Sequence, residues 1–181
     1  MKTGSTRSKG FFVGLVAAVV LGGPLCGGAL AQARPSAEEV RAAMVFSFLR
    51  FTEFPADAAA DPRRLRLCFS VGDANQAEAL QALAGRKLGN RELTVVRLGN
   101  AADDCQVLYT DSRQRWNAAQ DSRIGTPLTI SNYRGFVGDG GMIEIDMQSD
   151  GNRFEINLAQ ARQARLRLSP QLLRLARQVH E

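Results

Sequence analysis

Three glycines and one aspartate stand together in the stretch GDGGMIEI, residues 138–145, and such a composition could cradle a phosphate. A phosphate-binding loop places its glycines between a strand and a helix, so that helix N–H groups face the anion. Here a strand-like run follows the glycines, and no lysine and serine follow at P-loop spacing. The pattern therefore favours a bend before a hairpin, in which glycines permit positive φ and close backbone approach. A ligand resting against Gly140 and Gly141 is the alternative.

A second candidate site combines Arg153 with Asn157, which begin and end one predicted strand with Glu155 between them. Positions two and four apart on a strand share a face, so this face could hold an anion or a partner's carboxylate. The alternative is structural: Asn157 caps the following helix, and Arg153 pairs with Glu155 or another acid.

Aromatic residues are concentrated in the first predicted helix, at Phe46, Phe48, Phe51 and Phe54. A stripe of this kind packs on a core, or marks a partner site where it is exposed as a contiguous patch. Phe48 and Phe51 are the candidate partner contacts of this helix.

Catalytic and metal-binding combinations are missing from the sequence. The sole histidine, His180, stands next to the C-terminus, where we expect a frayed end, and no Cys/His cluster has metal spacing. We therefore predict neither an enzyme, nor a metal site, nor a cofactor. Cys68 and Cys105 form an even pair that predicts a disulfide in an oxidising compartment, with two buried free thiols as the alternative.

The N-terminus has the order of a secretory signal: a positive head, the apolar run Phe11–Leu25, and small residues that allow cleavage after Ala31 or Ala33. We predict a signal peptide over residues 1–33 and one exported domain over residues 34–181. The leader's three cations supply more than half of the net charge of +5, so the charge does not indicate a nucleic-acid partner.

Strand and helix patterns alternate after residue 65, which argues for crossover units. We predict an α/β fold with a mainly parallel sheet flanked by helices, a C-terminal β-hairpin and terminal helices. The predicted strands cover residues 65–71, 93–98, 107–110, 127–131, 142–147 and 153–156. The first helix is predicted to run from a Ser36 cap to Pro55, and the last to begin at Ser169-Pro170 and to bury Val179.

Several segments together resemble the YfiR/HmsC-like family of periplasmic proteins. They are Phe51–Pro55 (FTEFP), Gly135-Phe136, Gly140–Ile143 (GGMI), Arg153–Asn157 (RFEIN) and Leu168–Ala176 (LSPQLLRLA). Cys68 and Cys105 stand where such proteins often place a cysteine pair. Some members carry a second pair near the hairpin, which this chain lacks, and redox control through that pair is in doubt here.

The resemblance implies a periplasmic repressor that binds the sensor domain of an inner-membrane diguanylate cyclase and holds its catalytic domain inactive. Cyclic di-GMP and biofilm formation would then be low. It also implies a homodimer, and an outer-membrane lipoprotein that sequesters the repressor. A different hypothesis is a periplasmic binder of a small anion or nucleotide, with Arg153, Asn157 and the GDGG bend forming the pocket.

Overall fold

The computed structural model describes residues 34–55, 61–99, 105–121, 127–148 and 151–181. All of these residues belong to one compact unit, Arg34–Glu181. The predicted signal peptide lies outside the described residues, and so do Ser149 and Asp150, which stand between the predicted hairpin strands 142–147 and 153–156.

Ten strands and five helices make up the described chain. The strands are β1 Thr52–Glu53, β2 Arg64–Ser70, β3 Lys87–Leu88, β4 Arg91–Arg97, β5 Val107–Thr110, β6 Leu128–Ser131, β7 Ile143–Gln148, β8 Gly151–Asn157, β9 Arg167–Leu168 and β10 Gln178–His180. The helices are α1 Ala37–Arg50, α2 Ala74–Gln81, α3 Arg113–Asp121, α4 Leu158–Gln163 and α5 Pro170–Leu175.

Local capping explains where most of the helices begin. Ser36 and Glu39 form a capping box, in which the Glu39 N–H donates to Ser36 Oγ (3.1 Å) and the Ser36 N–H donates to Glu39 Oε2 (2.7 Å). Asp73 accepts from the first N–H groups of α2, and Ser169 caps α5 with Pro170 at its first position. Each cap satisfies N–H groups that have no partner within the helix.

Eight strands form one sheet in the order β10-β8-β7-β6-β5-β2-β4-β3. Pairing is parallel for β2 with β4 and β5, for β5 with β6, for β6 with β7 and for β8 with β10. Only the hairpin β7–β8 and the short pair β3–β4 are antiparallel among the described strands of this sheet. The predicted α/β fold with a mainly parallel sheet and a C-terminal hairpin is confirmed.

Helices cover both faces of the sheet. On one face α1, α2 and α4 pack over the larger core, whose fully buried members include Leu67, Tyr109 and Ile130. On the other face α3 covers a smaller cluster of Cys68, Cys105, Leu108, Trp116, Ala119 and Phe136. The crossovers β2-α2-β4 and β5-α3-β6 thus place their helices on opposite faces, as in doubly wound α/β domains.

Two predicted boundaries are wrong. The first helix ends at Arg50 and not at Pro55, because Thr52–Glu53 pairs antiparallel with Arg167–Leu168. The last helix ends at Leu175, and Val179 and His180 belong to β10, which pairs with β8. His180 is therefore held in the sheet, and the prediction of a frayed end is wrong.

Candidate functional site

The glycine-rich stretch closes a compact turn over residues 132–141. Gly135 and Gly140 have φ values of +89° and +90°. The Asp139 N–H donates to the Gly135 carbonyl (3.0 Å), and the Gly141 N–H donates to the Phe136 carbonyl (2.9 Å). A side chain at Gly141 would overlap the buried Phe136 ring. The bend with positive φ and close approach is confirmed.

Asp139 attaches this turn to α3. Its Oδ2 accepts from Arg113 Nε (2.6 Å) and from the Tyr133 hydroxyl (3.0 Å), and its carbonyl accepts from Trp116 Nε1 (3.1 Å). Burial, followed by the hydrogen bond to Asp139, raises the pKa of Tyr133 well above its ordinary value. The aspartate of GDGG is thus engaged in contacts within the domain.

Glu144 occupies the position that an anion would take in a glycine-rich nest. This carboxylate is buried, with 8% of the residue exposed. Its two oxygens accept the Gly135 N–H (3.2 Å to each), and Oε2 also accepts the Val137 N–H (3.2 Å). Charged acceptors bind backbone N–H groups strongly. The N–H groups of the turn are therefore used by the protein's own carboxylate.

A cleft of about 490 Å³ opens on the sheet face beside this turn, and we call it the charged cleft. It is lined by Arg134, Gly135, Val137, Gly138, Glu144, Asp146, Arg153, Glu155, Arg177 and His180. Three arginines, one histidine and three carboxylates therefore meet on the turn, on β7, on β8, and on β10 with Arg177 immediately before it.

Arg177 is the central cation of the charged cleft. It donates to Asp146 Oδ2 (2.9 Å) and to Glu155 Oε1, and His180 Nε2 lies 2.9 Å from Glu155 Oε2. The hydrogen bond from Arg177, and then that from His180, lowers the pKa of Glu155 below its ordinary value. Glu155 in turn raises the pKa of Arg177. These ion pairs fasten the end of the chain to the hairpin.

A different cleft, of about 520 Å³, lies between α3 and α4, and we call it the neutral cleft. Its apolar lining comes from Leu108, Trp116, Ala119, Pro127, Met142 and Ala164. Gln120, Gln160 and Gln163 contribute amides, and Thr129 and Gly140 complete it. None of the described residues that line it carries a charged side chain.

The structure separates the residues predicted to form one anion pocket. Arg153 is exposed, lies opposite Asp146 in the hairpin and lines the charged cleft. Asn157 Oδ1 accepts the Gln160 N–H (3.0 Å), so its side chain caps α4. Gly140 lines the neutral cleft, and Gly141 packs on Phe136.

The predicted aromatic contacts differ in accessibility. Phe48 is 2% exposed, and its ring lies 4.9 Å from that of Phe154 between centroids. Phe51 is partly buried against the same core, and its carbonyl accepts the Ser169 N–H (2.9 Å). Phe51 is therefore the member of the pair that a partner could reach in this conformation.

Cys68 and Cys105 form a disulfide with a Cα–Cα distance of 5.7 Å. The bond joins β2 to the residue that precedes β5 by two positions, and these strands are neighbours in the sheet. Both cysteines are buried in the cluster under α3. The cystine is therefore a staple between adjacent strands.

Sequence reasoning missed Asp146, Arg177 and His180 as members of one cluster. The alternation of Glu144, Asp146, Arg153 and Glu155 does indicate one polar face of a hairpin. Arg177 and His180 reach this face only because β10 pairs with β8. The three residues of β10 carry no local pattern from which that pairing could be predicted.

The described residues also bear on metal binding and on membrane insertion. Within the ranges that the structure covers, no three His, Cys, Asp or Glu side chains cluster as a metal site. Nor does any helix in this part of the chain have the length and apolar character needed to cross a membrane.

The fold and clefts define a doubly wound α/β domain with a cystine staple and surface clefts of ligand size. The chain belongs to the YfiR/HmsC-like family, whose model matches residues 38–177.

No curated protein matches the chain. A solved structure, that of a conserved domain protein from Vibrio cholerae O1 biovar El Tor, is similar with 13% identity and a TM-score of 0.47. The alignment covers 80% of this chain and 60% of that one, so the chain spans less than two thirds of the length of the Vibrio protein.

Proposed function

We propose that this protein is a periplasmic repressor that binds the periplasmic sensor domain of an inner-membrane diguanylate cyclase. Binding holds the cyclase inactive, which lowers cyclic di-GMP and biofilm formation. The observation that carries the proposal is the match of the YfiR/HmsC-like family model to residues 38–177.

Repression of this kind is a shift in the populations of the sensor domain. The repressor binds the inactive conformation more tightly than the active one, and only this difference in affinity changes the equilibrium. Moving a two-state sensor from 1:99 to 99:1 needs a preference of about 10⁴-fold, or roughly 5.5 kcal/mol. A firmly folded binding surface supports such a preference, because little conformational entropy is lost on binding.

Export is part of the proposal. The leader over residues 1–33 would carry the domain into the compartment where the sensor lies and where Cys68 and Cys105 can oxidise. A homodimer, and capture by an outer-membrane lipoprotein, complete the proposed regulatory cycle.

The proposed contact residues are those that a partner can reach. Arg153 is exposed on the hairpin face, Phe51 is half-buried at the end of α1, and Gly140 is half-buried in the turn. Phe48, Gly141 and Asn157 would support this surface from within, through the core, the turn and the α4 cap. Arg153 is the strongest single candidate, because arginine offers a planar fork for a partner's carboxylate.

Deletion of the gene in a strain that carries the partner cyclase tests the proposed function. We expect cyclic di-GMP to rise on deletion and to return to its original level when the full chain is supplied. Supplying Arg153→Gln should restore repression less well than Arg63→Gln, a matched change at an exposed arginine outside the clefts. Unchanged cyclic di-GMP on deletion would contradict the proposal.

A further inference from the structure

The neutral cleft has a floor that is already buried and a rim that is not. Leu108, Ala119 and Met142 are 2%, 2% and 6% exposed, yet all three border this space. Gln163 is exposed and Gln160 is half-buried at α4, on one side of the opening. A cleft of about 520 Å³ falls within the size range of small-molecule sites.

The polar groups deeper in the cleft are already bonded. Trp116 Nε1 donates to the Asp139 carbonyl, and Thr129 Oγ1 accepts the Met142 N–H (3.0 Å). The side-chain amides of Gln120, Gln160 and Gln163 remain as hydrogen-bonding groups for an occupant, because these side chains make no hydrogen bond within the described residues. The cleft thus presents an apolar floor and neutral donors and acceptors at its rim.

The uncharged lining of the neutral cleft disfavours a charged ligand. An ionised group entering the cleft would lose hydration without meeting a counter-ion, and such burial is costly. An apolar ring would instead bury its surface against Leu108, Met142 and Ala164, which is favourable at about 25 cal/mol per Å². The neutral cleft and the charged cleft therefore suit different chemistries.

We propose that the neutral cleft is a binding site for an uncharged small molecule that has an apolar ring body and a hydrogen-bonding group. The body lies on Leu108, Met142 and Ala164, and the hydrogen-bonding group reaches the amides of Gln160 and Gln163. The site includes Gly140, which the sequence alone assigns to a possible anion pocket. Because the lining of the neutral cleft carries no charge, we expect an uncharged ligand there instead. This inference does not depend on the proposed repressor function.

A pair of fluorescent probes tests the charge preference directly. N-phenyl-1-naphthylamine is uncharged, and 8-anilino-1-naphthalenesulfonate has the same ring skeleton with an added sulfonate. Both are titrated into protein purified from cells that express the full chain. Trp116, the only tryptophan of the chain, lies in the cleft wall and serves as the energy donor. We expect one saturable site for the neutral probe and at least tenfold weaker binding of the sulfonate.

Three variants identify the cleft as the site. Ala164→Leu fills the floor and Gln160→Glu places a charge at the rim, so each should weaken binding of the neutral probe at least tenfold. Gln171→Glu is the matched control at an exposed position on α5 and should bind as the unmodified protein does. Should Ala164→Leu fail to fold, the rim variant decides alone.

Several results would overturn the inference. They are the absence of saturable binding of the neutral probe, equal affinity for the two probes, or unchanged binding in Gln160→Glu. None of them bears on whether a cyclase is repressed, so failure of this site and failure of the proposed function are distinguishable.

Discussion

At the scale of single residues, the polar groups of the glycine-rich turn that have identified partners are engaged inside the domain. Glu144 accepts the N–H groups of Gly135 and Val137, and Asp139 accepts from Arg113 and Tyr133. The glycines serve the shape of the turn, because Gly140 adopts positive φ and Gly141 adjoins the Phe136 ring. The contacts of the GDGG stretch within the domain therefore stabilise the fold.

Gly141→Ala should destabilise the fold. The new methyl group would overlap the Phe136 ring, which is fully buried and packs edge-on against Trp116 and Tyr133. Overpacking of this kind costs about 1–3 kcal/mol in the free energy of unfolding. Gly99→Ala is the matched control, since a methyl group there meets nothing within 4 Å. The urea midpoints of unfolding of both variants measure the effect. Equal stability of the two variants would contradict the prediction.

Glu155→Gln should reduce the dependence of stability on acid pH. Arg177 and His180 lower the pKa of Glu155 in the folded state, below the unfolded value near 4.5. The carboxylate's contribution is therefore present above that unfolded value and is lost as the pH falls through the folded pKa. Thermal unfolding at several pH values between 7 and about 3 measures this effect. An identical pH profile for the variant and the unmodified protein would show that these ion pairs do not stabilise the fold.

Residues with a local role were predictable from sequence, and residues brought together over long distances were not. The Asn157 and Ser169 caps follow from spacings of three residues, and both are present. For Asn157 the structure supports the helix cap, and for Phe48 it supports a position in the core. The cluster of Asp146, Glu155 and Arg177 depends on where the end of the chain lies, and single-sequence patterns do not give that position.

At the scale of elements, the longer strands were predictable and the shortest were not. Strands β2, β4 and β5 have four to seven residues, enough for an apolar or alternating pattern to show, whereas β1 and β9 have two residues each. The same short pair explains the early end of α1. Thr52 Oγ1 donates to the Phe48 carbonyl (2.8 Å) in the last turn of α1. The backbone of Thr52 pairs with Leu168 in the short sheet and therefore does not extend the helix.

The cystine is the element-scale feature with the largest expected energy. It closes a loop with a sequence separation of 37 residues, which contains α2, β3 and β4. Chain-entropy reasoning gives such a loop about 4 kcal/mol, as an upper figure. We expect the double change Cys68→Ala, Cys105→Ala and reduction of the unmodified protein to lower the unfolding free energy by similar amounts.

Two measurements check the cystine. Intact mass after thiol alkylation in denaturant, without reductant, should show no modified cysteine at positions 68 and 105. The free energies of unfolding measured in urea with and without dithiothreitol should then differ by a few kcal/mol. Two alkylated thiols per chain, or unfolding curves that coincide, would contradict the prediction.

At the scale of the whole molecule, a doubly wound sheet holds two clefts of different chemistry. The larger core under α1, α2 and α4 fixes the sheet, and the smaller cluster under α3 contains the cystine and borders the neutral cleft. Arg153 is exposed on the hairpin face and lines the charged cleft. The YfiR/HmsC-like family model matches residues 38–177, which include both clefts except for His180.

Calorimetric titration of the purified protein with the periplasmic sensor domain of the cyclase encoded in the same organism tests the central claim most directly. We predict saturable binding in the nanomolar to micromolar range, and weaker binding of Arg153→Gln than of Arg63→Gln. Absence of heat and of co-elution at concentrations near 100 µM, with the cystine intact in the sample, would contradict the proposed repressor function.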